Sequence, residues 1–159
     1  MSLYIKNLDI TKIEVDCIVN AANIDLLMGG GVCYAIFKAS NHIKELQAEC
    51  LKLAPIKTGE AIITNGYDLK AKHIIHTAGP IYHDYRPNEA QYLLEQCYLN
   101  SLKLAQKYNC KSIAFPLISS GIYGYPPKKA LEVAKDTINK FLATNEMEVY
   151  LLVLDNSLL

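Results

Sequence analysis

The 159 residues suffice for one domain with a core of its own. Apolar residues make up 51% and charged residues 20%, a globular composition that excludes a disordered chain. The 16 basic and 16 acidic residues cancel, so bulk charge gives no support to a nucleic-acid partner, which usually draws a basic excess.

The first residues, Met1 to Lys6, lack the charged-then-apolar order of a signal peptide. No apolar run approaches the ~18 residues of a membrane span. Five cysteines, at 17, 33, 50, 97 and 110, form no CxxC pair. An odd count without an export signal fits free thiols in a reducing compartment, so a cytoplasmic protein is expected.

In chain order, Leu3 to Lys6 is a strand candidate and Asn7 to Thr11 a turn that Asp9 can cap. Cys17 to Ala21 reads as a strand covered on both faces, and Cys33 to Ala39 as a short helix. Ser40-Asn41 offers an N-cap to a second helix. Its apolar stripe is Ile43, Leu46, Cys50 and Ala54, and Pro55 ends it. Ala61 to Thr64 and His73 to Thr77 are strands joined by the polar turn Asn65 to Asp68. Gly79 to Pro87 is a loop, and Asn88 can cap the helix after it, whose buried face runs from Leu94 through Cys97, Tyr98, Ser101 and Leu102 to Ala105. Ser112 to Pro116 is a central strand. Pro126-Pro127 opens the last helix, with Ala130, Ala134, Thr137, Ile138 and Phe141 inward, and Glu148 to Leu154 is the last strand. No repeat, linker or low-complexity segment interrupts this order, so a single domain over 1–159 is expected. Strands alternating with helices predict an α/β fold with helices on both faces of the sheet.

Two stretches lie between a strand and a helix and are built for close approach. Gly29-Gly30-Gly31 ends the run Asn20-Ala21-Ala22-Asn23 to Met28, just before the first helix. Glycine permits positive φ and close backbone contact. The first helical N–H groups have no intrahelical partner, and the dipole adds roughly half a positive charge there. A phosphate suits such a place; a plain glycine-rich turn is the alternative. The second stretch, Pro116 to Pro126, carries Ser119, Ser120, Gly121, Ile122, Tyr123 and Gly124. In open α/β sheets, ligands bind beyond the carboxyl ends of strands near a switch point, so the two loops can hold the two halves of a diphosphate.

Asn20-Ala-Ala-Asn23, Gly29-Gly-Gly-Val32, Lys57-Thr-Gly-Glu-Ala61, His76-Thr-Ala-Gly-Pro80 and Ile118-Ser-Ser-Gly-Ile-Tyr-Gly-Tyr-Pro126 together resemble the macro-domain family. The likeness covers nearly the whole chain and is closest to the mono-ADP-ribosyl and O-acetyl-ADP-ribose hydrolases. It implies a three-layer α/β/α macro-domain fold with a mixed, mostly parallel central sheet. It implies ADP-ribose, free or attached to a substrate, as the partner, with no cofactor and no metal. Asp9 would accept from the adenine amino group and Ile10 would pack on the ring. Asn20, Ala22, Gly30, Gly31 and Val32 would form the first side of the binding loop, with Asn20 also holding its shape. Ser119, Ser120, Gly121, Ile122 and Tyr123 would hold the diphosphate, with Tyr123 beside the distal ribose. Asn23 would hydrogen-bond that ribose next to the bond that is cut; an asparagine at a strand end can equally satisfy its own loop.

Three positions depart from the hydrolytic pattern. Where many relatives carry an aspartate thought to orient or activate water, this chain has Cys33, followed by Tyr34 for a small glycine and Phe37 for a histidine. An ordinary thiol, with a pKa of about 8.5, is not a permanent anionic acceptor. Cys33 is then a small apolar filler, a general base or nucleophile, or irrelevant to a reaction in which substrate phosphate and Asn23 position the water. Hydrolysis and non-catalytic binding of ADP-ribose both stay open. At the adenine end, Leu154 gives apolar cover and Asn156 a hydrogen-bonding group, without the aromatic residue common in relatives; stacking is expected to be weaker by about 0.5–1.5 kcal/mol. His73 and His76 lie three apart on a strand, hence on opposite faces, which points to core or sheet roles rather than metal ligation. An RNA-binding role, known for some relatives, is disfavoured by the zero net charge. No Gly-x-x-x-x-Gly-Lys-Ser/Thr motif occurs, which disfavours a nucleoside triphosphatase. Oligomeric state is not readable.

Overall fold

The computed structural model describes residues 2–159. Strands β1 (Ser2–Lys6), β2 (Cys17–Ala22), β3 (Ala61–Asn65), β4 (His73–Ala78), β5 (Ser112–Pro116) and β6 (Glu148–Leu152) form one sheet in the order β1-β6-β5-β2-β4-β3. Only β3, against β4, runs antiparallel; the other neighbours are parallel. Helices α1 (Gly31–Ala39) and α2 (Ile43–Leu53) cover one face; α3 (Pro87–Lys107) and α4 (Pro127–Leu142) cover the other.

The strand period of two sorts the core into these layers. Cys17 and Val19 of β2, Ile113 and Phe115 of β5, and Val149 and Leu151 of β6 pack with α3 and α4. Ile18, Ile74 and Ala114 pack with Ile36, Phe37, Leu46 and Cys50 of α1 and α2. Because both faces are covered, the central strands read as unbroken apolar runs rather than alternating ones. This is the three-layer α/β/α arrangement with a mixed, mostly parallel sheet.

Several boundaries differ from expectation. The first helix begins at Gly31, before the apolar period becomes visible at Cys33. The second takes His42 as its N-cap, because the Ser40 hydroxyl is spent on Phe37 O (2.6 Å) and the His42 N–H (3.2 Å). Ile43 is 39% exposed: only the middle turns of α2, through Leu46 and Cys50, reach the core. Asn88 lies inside the first turn of α3, not at its cap. Pro87 fixes the start two residues earlier, and the Glu89 carboxylate accepts the Arg86 N–H at 3.2 Å. The last strand ends at Leu152; the Val153 N–H still donates to Lys6 O (2.9 Å), after which Leu154 turns to solvent. A single 3-10 turn, Asn156–Leu158, follows.

Phe115 is fully buried, with its ring centroid 5.0 Å from that of Tyr98. Replacing it with alanine is expected to destabilise the fold by about 3–5 kcal/mol, read as a lower urea midpoint; an unchanged midpoint would contradict this placement of the core.

Candidate functional site: a cleft at the β2–β5 strand ends

The parallel pairing of β2 with β5 puts the two glycine-bearing loops side by side at one end of the sheet. After β2 the chain crosses towards β4 and β3; after β5 it crosses the other way, to β6. This divergence is the switch point at which open sheets leave a crevice. The loops after β1, β6 and β4 open at the same end.

The first loop is braced from within. The Asn23 side chain donates to Leu27 O (2.9 Å) and accepts the Leu27 N–H (3.1 Å). This is the loop-holding alternative for Asn23, and it leaves one Nδ2 hydrogen and one oxygen lone pair. Gln47 of α2 clamps the loop by accepting the Met28 N–H and donating to Leu26 O, both at 2.8 Å. Leu26 is held at φ 55° and Gly31 at φ 60°. The cap residue Gly30 offers no side chain to α1, and the first turn of α1 contains no acid. The leading amides of α1 therefore face the cleft end uncapped.

The second loop is braced from below. The Tyr98 hydroxyl accepts the Ile118 N–H (3.0 Å). Ser119 sits at φ 66°, and its hydroxyl donates to Pro80 O (2.8 Å). The Tyr82 N–H donates to Tyr123 O (2.8 Å), tying in the loop after β4. Gly79 is what lets these loops meet. A Cβ there would lie 2.6 Å from Ile118 Cγ2 and would also clash with Ser119 Oγ. The amides of Gly121, Ile122 and Tyr123 make no hydrogen bond to any described residue. Ile122 is 100% exposed.

A Cβ added at Gly30, Gly31 or Gly121 would meet nothing within 4 Å. At Gly30 the backbone is ordinary extended chain, φ −84°, so neither packing nor conformation demands glycine there; nor does packing demand it at Gly121. Both glycines keep space open in front of unpaired amides. Burial first, and the nearby Cys33 thiol second, raise the Tyr123 phenol above its ordinary pKa.

Beneath the cleft lies a buried polar chain. Cys33 is 3% exposed, and its sulfur accepts from the Gly29 N–H and from Asn20 Nδ2, both at 3.4 Å. The same Asn20 nitrogen lies 3.1 Å from His76 Nδ1, and His76 Nε2 lies 2.9 Å from Thr64 Oγ1. Thr64 donates onward to Asn65 O (3.2 Å), so the consistent tautomer carries its proton on Nε2. Burial pushes the His76 pKa down to about 3, keeping the ring neutral. Phe37 packs edge-on against this imidazole (6.4 Å). Two of the readings left open by the sequence have geometry on their side here. Asn20, 1% exposed, braces the first loop through Cys33 and His76, as the loop-holding reading expects. Cys33 is a packed acceptor holding the glycine turn, which fits the filler reading, and no basic side chain is hydrogen-bonded to it among the described residues.

The adenine end is looser. Asp9 Oδ1 is occupied by the Thr11 N–H (2.9 Å) and hydroxyl (2.7 Å). These bonds lower its pKa, the hydroxyl most, and leave Oδ2 as the open acceptor. Ile10 is already buried in the core, so little of it remains for a ring. Leu154 is 93% exposed, and Asn156 accepts from Asn7 Nδ2 (2.9 Å), joining the loops after β1 and β6. Ala22 is buried and Val32 half-buried beneath the first loop, while Ser120 donates to Leu117 O (2.8 Å). Sequence reasoning missed Gln47 and Tyr98. The only available signal for Tyr98 was a hydroxyl on an otherwise apolar helix face, which has to find a partner. His76 is buried in the core, whereas His73 is half-buried at the start of β4 and packs edge-on against Tyr108.

The buried chain makes stability pH-dependent. The unfolded imidazole titrates near 6.5 and the folded one near 3. The His76 contribution is full above about pH 6.5 and is lost as pH falls towards 3, with a slope approaching 1.4 kcal/mol per pH unit. Urea midpoints measured across this range should fall in the native chain and lose that part of the slope in His76→Gln; identical slopes would contradict it. Gly79→Ala should displace Ser119 and lower the thermal midpoint by several degrees, as a ~1–3 kcal/mol overpacking does; an unchanged midpoint would show the contact to be slack.

The profile described as "Macro domain" matches residues 19–134. A macro domain-containing protein of Chlorobaculum tepidum is 51% identical over 135 residues, 85% of this chain and 77% of that one. The ADP-ribose glycohydrolase MACROD2 of Homo sapiens is 50% identical over 141 residues, 89% of this chain but 33% of that protein, so the chain spans about a third of it. Among solved structures, a variant of the Oceanobacillus iheyensis macrodomain with ADPR superposes with a TM-score of 0.90 at 40% identity, covering 96% of this chain and 85% of that one. A Trypanosoma brucei macrodomain in complex with ADP-ribose does so with 0.87 at 33% identity, covering 98% and 65%. Motifs, topology and cleft thus converge with these likenesses: the chain belongs to the macro domain family.

Proposed function

We propose that the chain binds ADP-ribose across the β2–β5 crevice and hydrolyses the bond at its distal ribose, releasing ADP-ribose. The observation that carries the binding is the pair of glycines, Gly30 and Gly121, whose missing Cβ atoms leave empty space before unpaired amides. Two rows of N–H donors at that spot suit a diphosphate. The adenosine side then extends over Leu154 towards Asp9 Oδ2 and Asn156, and the distal ribose towards Tyr123 and the free Nδ2 hydrogen of Asn23. Relatives named ADP-ribose glycohydrolase and neighbours solved with ADP-ribose support the reading. The substrates are mono-ADP-ribosylated acidic side chains and O-acetyl-ADP-ribose, met in the cytosol.

With Cys33 buried as an acceptor, the protein supplies no carboxylate at that position. Water is then positioned by substrate phosphate and Asn23. The same substitution favours a second reading, a module that holds ADP-ribose without cutting it. Calorimetry should show 1:1 binding of ADP-ribose, reduced at least about tenfold in Gly121→Val, whose side chain fills the cradle; equal affinity would refute the cradle. Turnover of either substrate should drop roughly tenfold in Asn23→Ala, the effect of losing one transition-state hydrogen bond. Background turnover in the native chain, with a large gain in Cys33→Asp, would establish the binding module instead. The Gly29 N–H and Asn20 Nδ2 already point at position 33 and would receive that carboxylate.

A further inference from the structure

The sheet has an edge whose free side opens onto a groove outside the β2–β5 crevice, tied to the first loop where the Ile56 N–H donates to Ile24 O (2.9 Å). β3 is a terminal strand of the sheet. Its residues are Ala61-Ile62-Ile63-Thr64-Asn65, without the charge or proline that usually protects an edge. The Gly66 N–H bonds Lys72 O (2.8 Å) across the β3–β4 hairpin, and the Asn65 N–H turns away from β4 to Glu49 (3.2 Å). By the strand period, the main-chain groups of Ala61 and Ile63 also face outward. At the Ala61 end of this edge lies a depression of about 540 Å³, floored by Ala61 and Ile62 of β3 and walled by the end of α2 on one side and by α3 on the other.

The two walls differ in chemistry. The α2 side presents Leu53, Pro55 and Ile56; the α3 side presents Lys103 and Lys107 around Leu104. Neither lysine has an acidic partner among the described residues. The one carboxylate lining the groove, Glu60, accepts the Lys57 N–H (2.7 Å). α3 runs alongside β3 in the same direction: Asn100 donates to Gly59 O (2.8 Å) at one end, and Tyr108 packs on His73, the partner of Asn65, at the other. Four residues of helix advance about 6 Å, and two residues of strand about 6.6 Å. Alternate side chains of a strand laid on this edge would therefore fall opposite Lys103 and Lys107 in turn, while the intervening ones meet the apolar wall.

We propose that the β3 edge docks an extended peptide of alternating acidic and apolar residues, which adds to the sheet as a seventh strand through the main-chain groups of Ala61 and Ile63. Its acids pair with Lys103 and Lys107, and its apolar residues cover Leu53, Pro55 and Ile56. This mode of recognition takes affinity from the ladder and specificity from the alternation.

The test uses the whole chain and a short blocked, fluorescent peptide of alternating glutamate and valine. Binding by anisotropy should be 1:1 and unaffected by saturating ADP-ribose. Amide exchange at Ala61 and Ile63 should slow at least about tenfold on peptide addition, as for groups entering a ladder. A peptide N-methylated along one edge should fail to bind. Lys103→Glu with Lys107→Glu, both exposed and away from the core, should weaken binding about tenfold or more and strengthen its lysine–valine counterpart. The proposal is overturned if the glutamate–valine peptide does not bind, if the methylated peptide binds equally, or if exchange at the two amides is unchanged. It is also overturned if those amides are already protected, in proportion to protein concentration, by pairing between copies of the chain.

Discussion

The structure depends on one constraint: β2 and β5 lie side by side and parallel, with the chain leaving their ends in opposite directions. Parallel strands need long crossovers, and those crossovers begin as loops at one end of the sheet. The Gly29-to-Gly31 and Ser119-to-Tyr123 stretches, about ninety residues apart in sequence, therefore meet without any direct bond between them. Each loop presents amides that the fold itself does not use.

What keeps those amides idle is bracing from behind. Asn23 and Gln47 satisfy the first loop's other polar groups; Tyr98 and Pro80 satisfy the second's. Leu26 and Ser119, both non-glycine residues at positive φ, mark where the backbone is held in a sparsely populated region. Such strain persists where surrounding bonds over-determine it, and here it falls once in each loop. Beneath the first loop, the Cys33–Asn20–His76–Thr64 chain extends the bracing into the sheet. Cys33 thereby links the reaction question to the folding question: the thiol contributes to loop shape through the same two donors that would hold a carboxylate.

The sequence made the layer order, the strands and the two loops legible because these follow from local period and from glycine placed between strand and helix. Caps were less legible. Pro87 moved the start of α3 away from Asn88, and Ser40 was diverted to the end of α1, choices made by neighbours rather than by propensity. Side-chain partners across the sheet left no local trace. Nothing near Asn20 announces His76, fifty-six residues on, and nothing near Ile118 announces Tyr98. The motif His76-Thr-Ala-Gly-Pro80 was recognisable as a pattern. The reason for its glycine, contact with Ser119 and Ile118, exists only in three dimensions.

The central claim is that amides from both loops grip one diphosphate. The direct measurement is a crystal structure with ADP-ribose bound. Phosphate oxygens are expected about 2.7–3.2 Å from the N–H groups of Gly121, Ile122 and Tyr123 on one side and from the leading amides of α1 on the other. A ligand seated with its phosphates against only one loop, or outside the β2–β5 crevice, would contradict it.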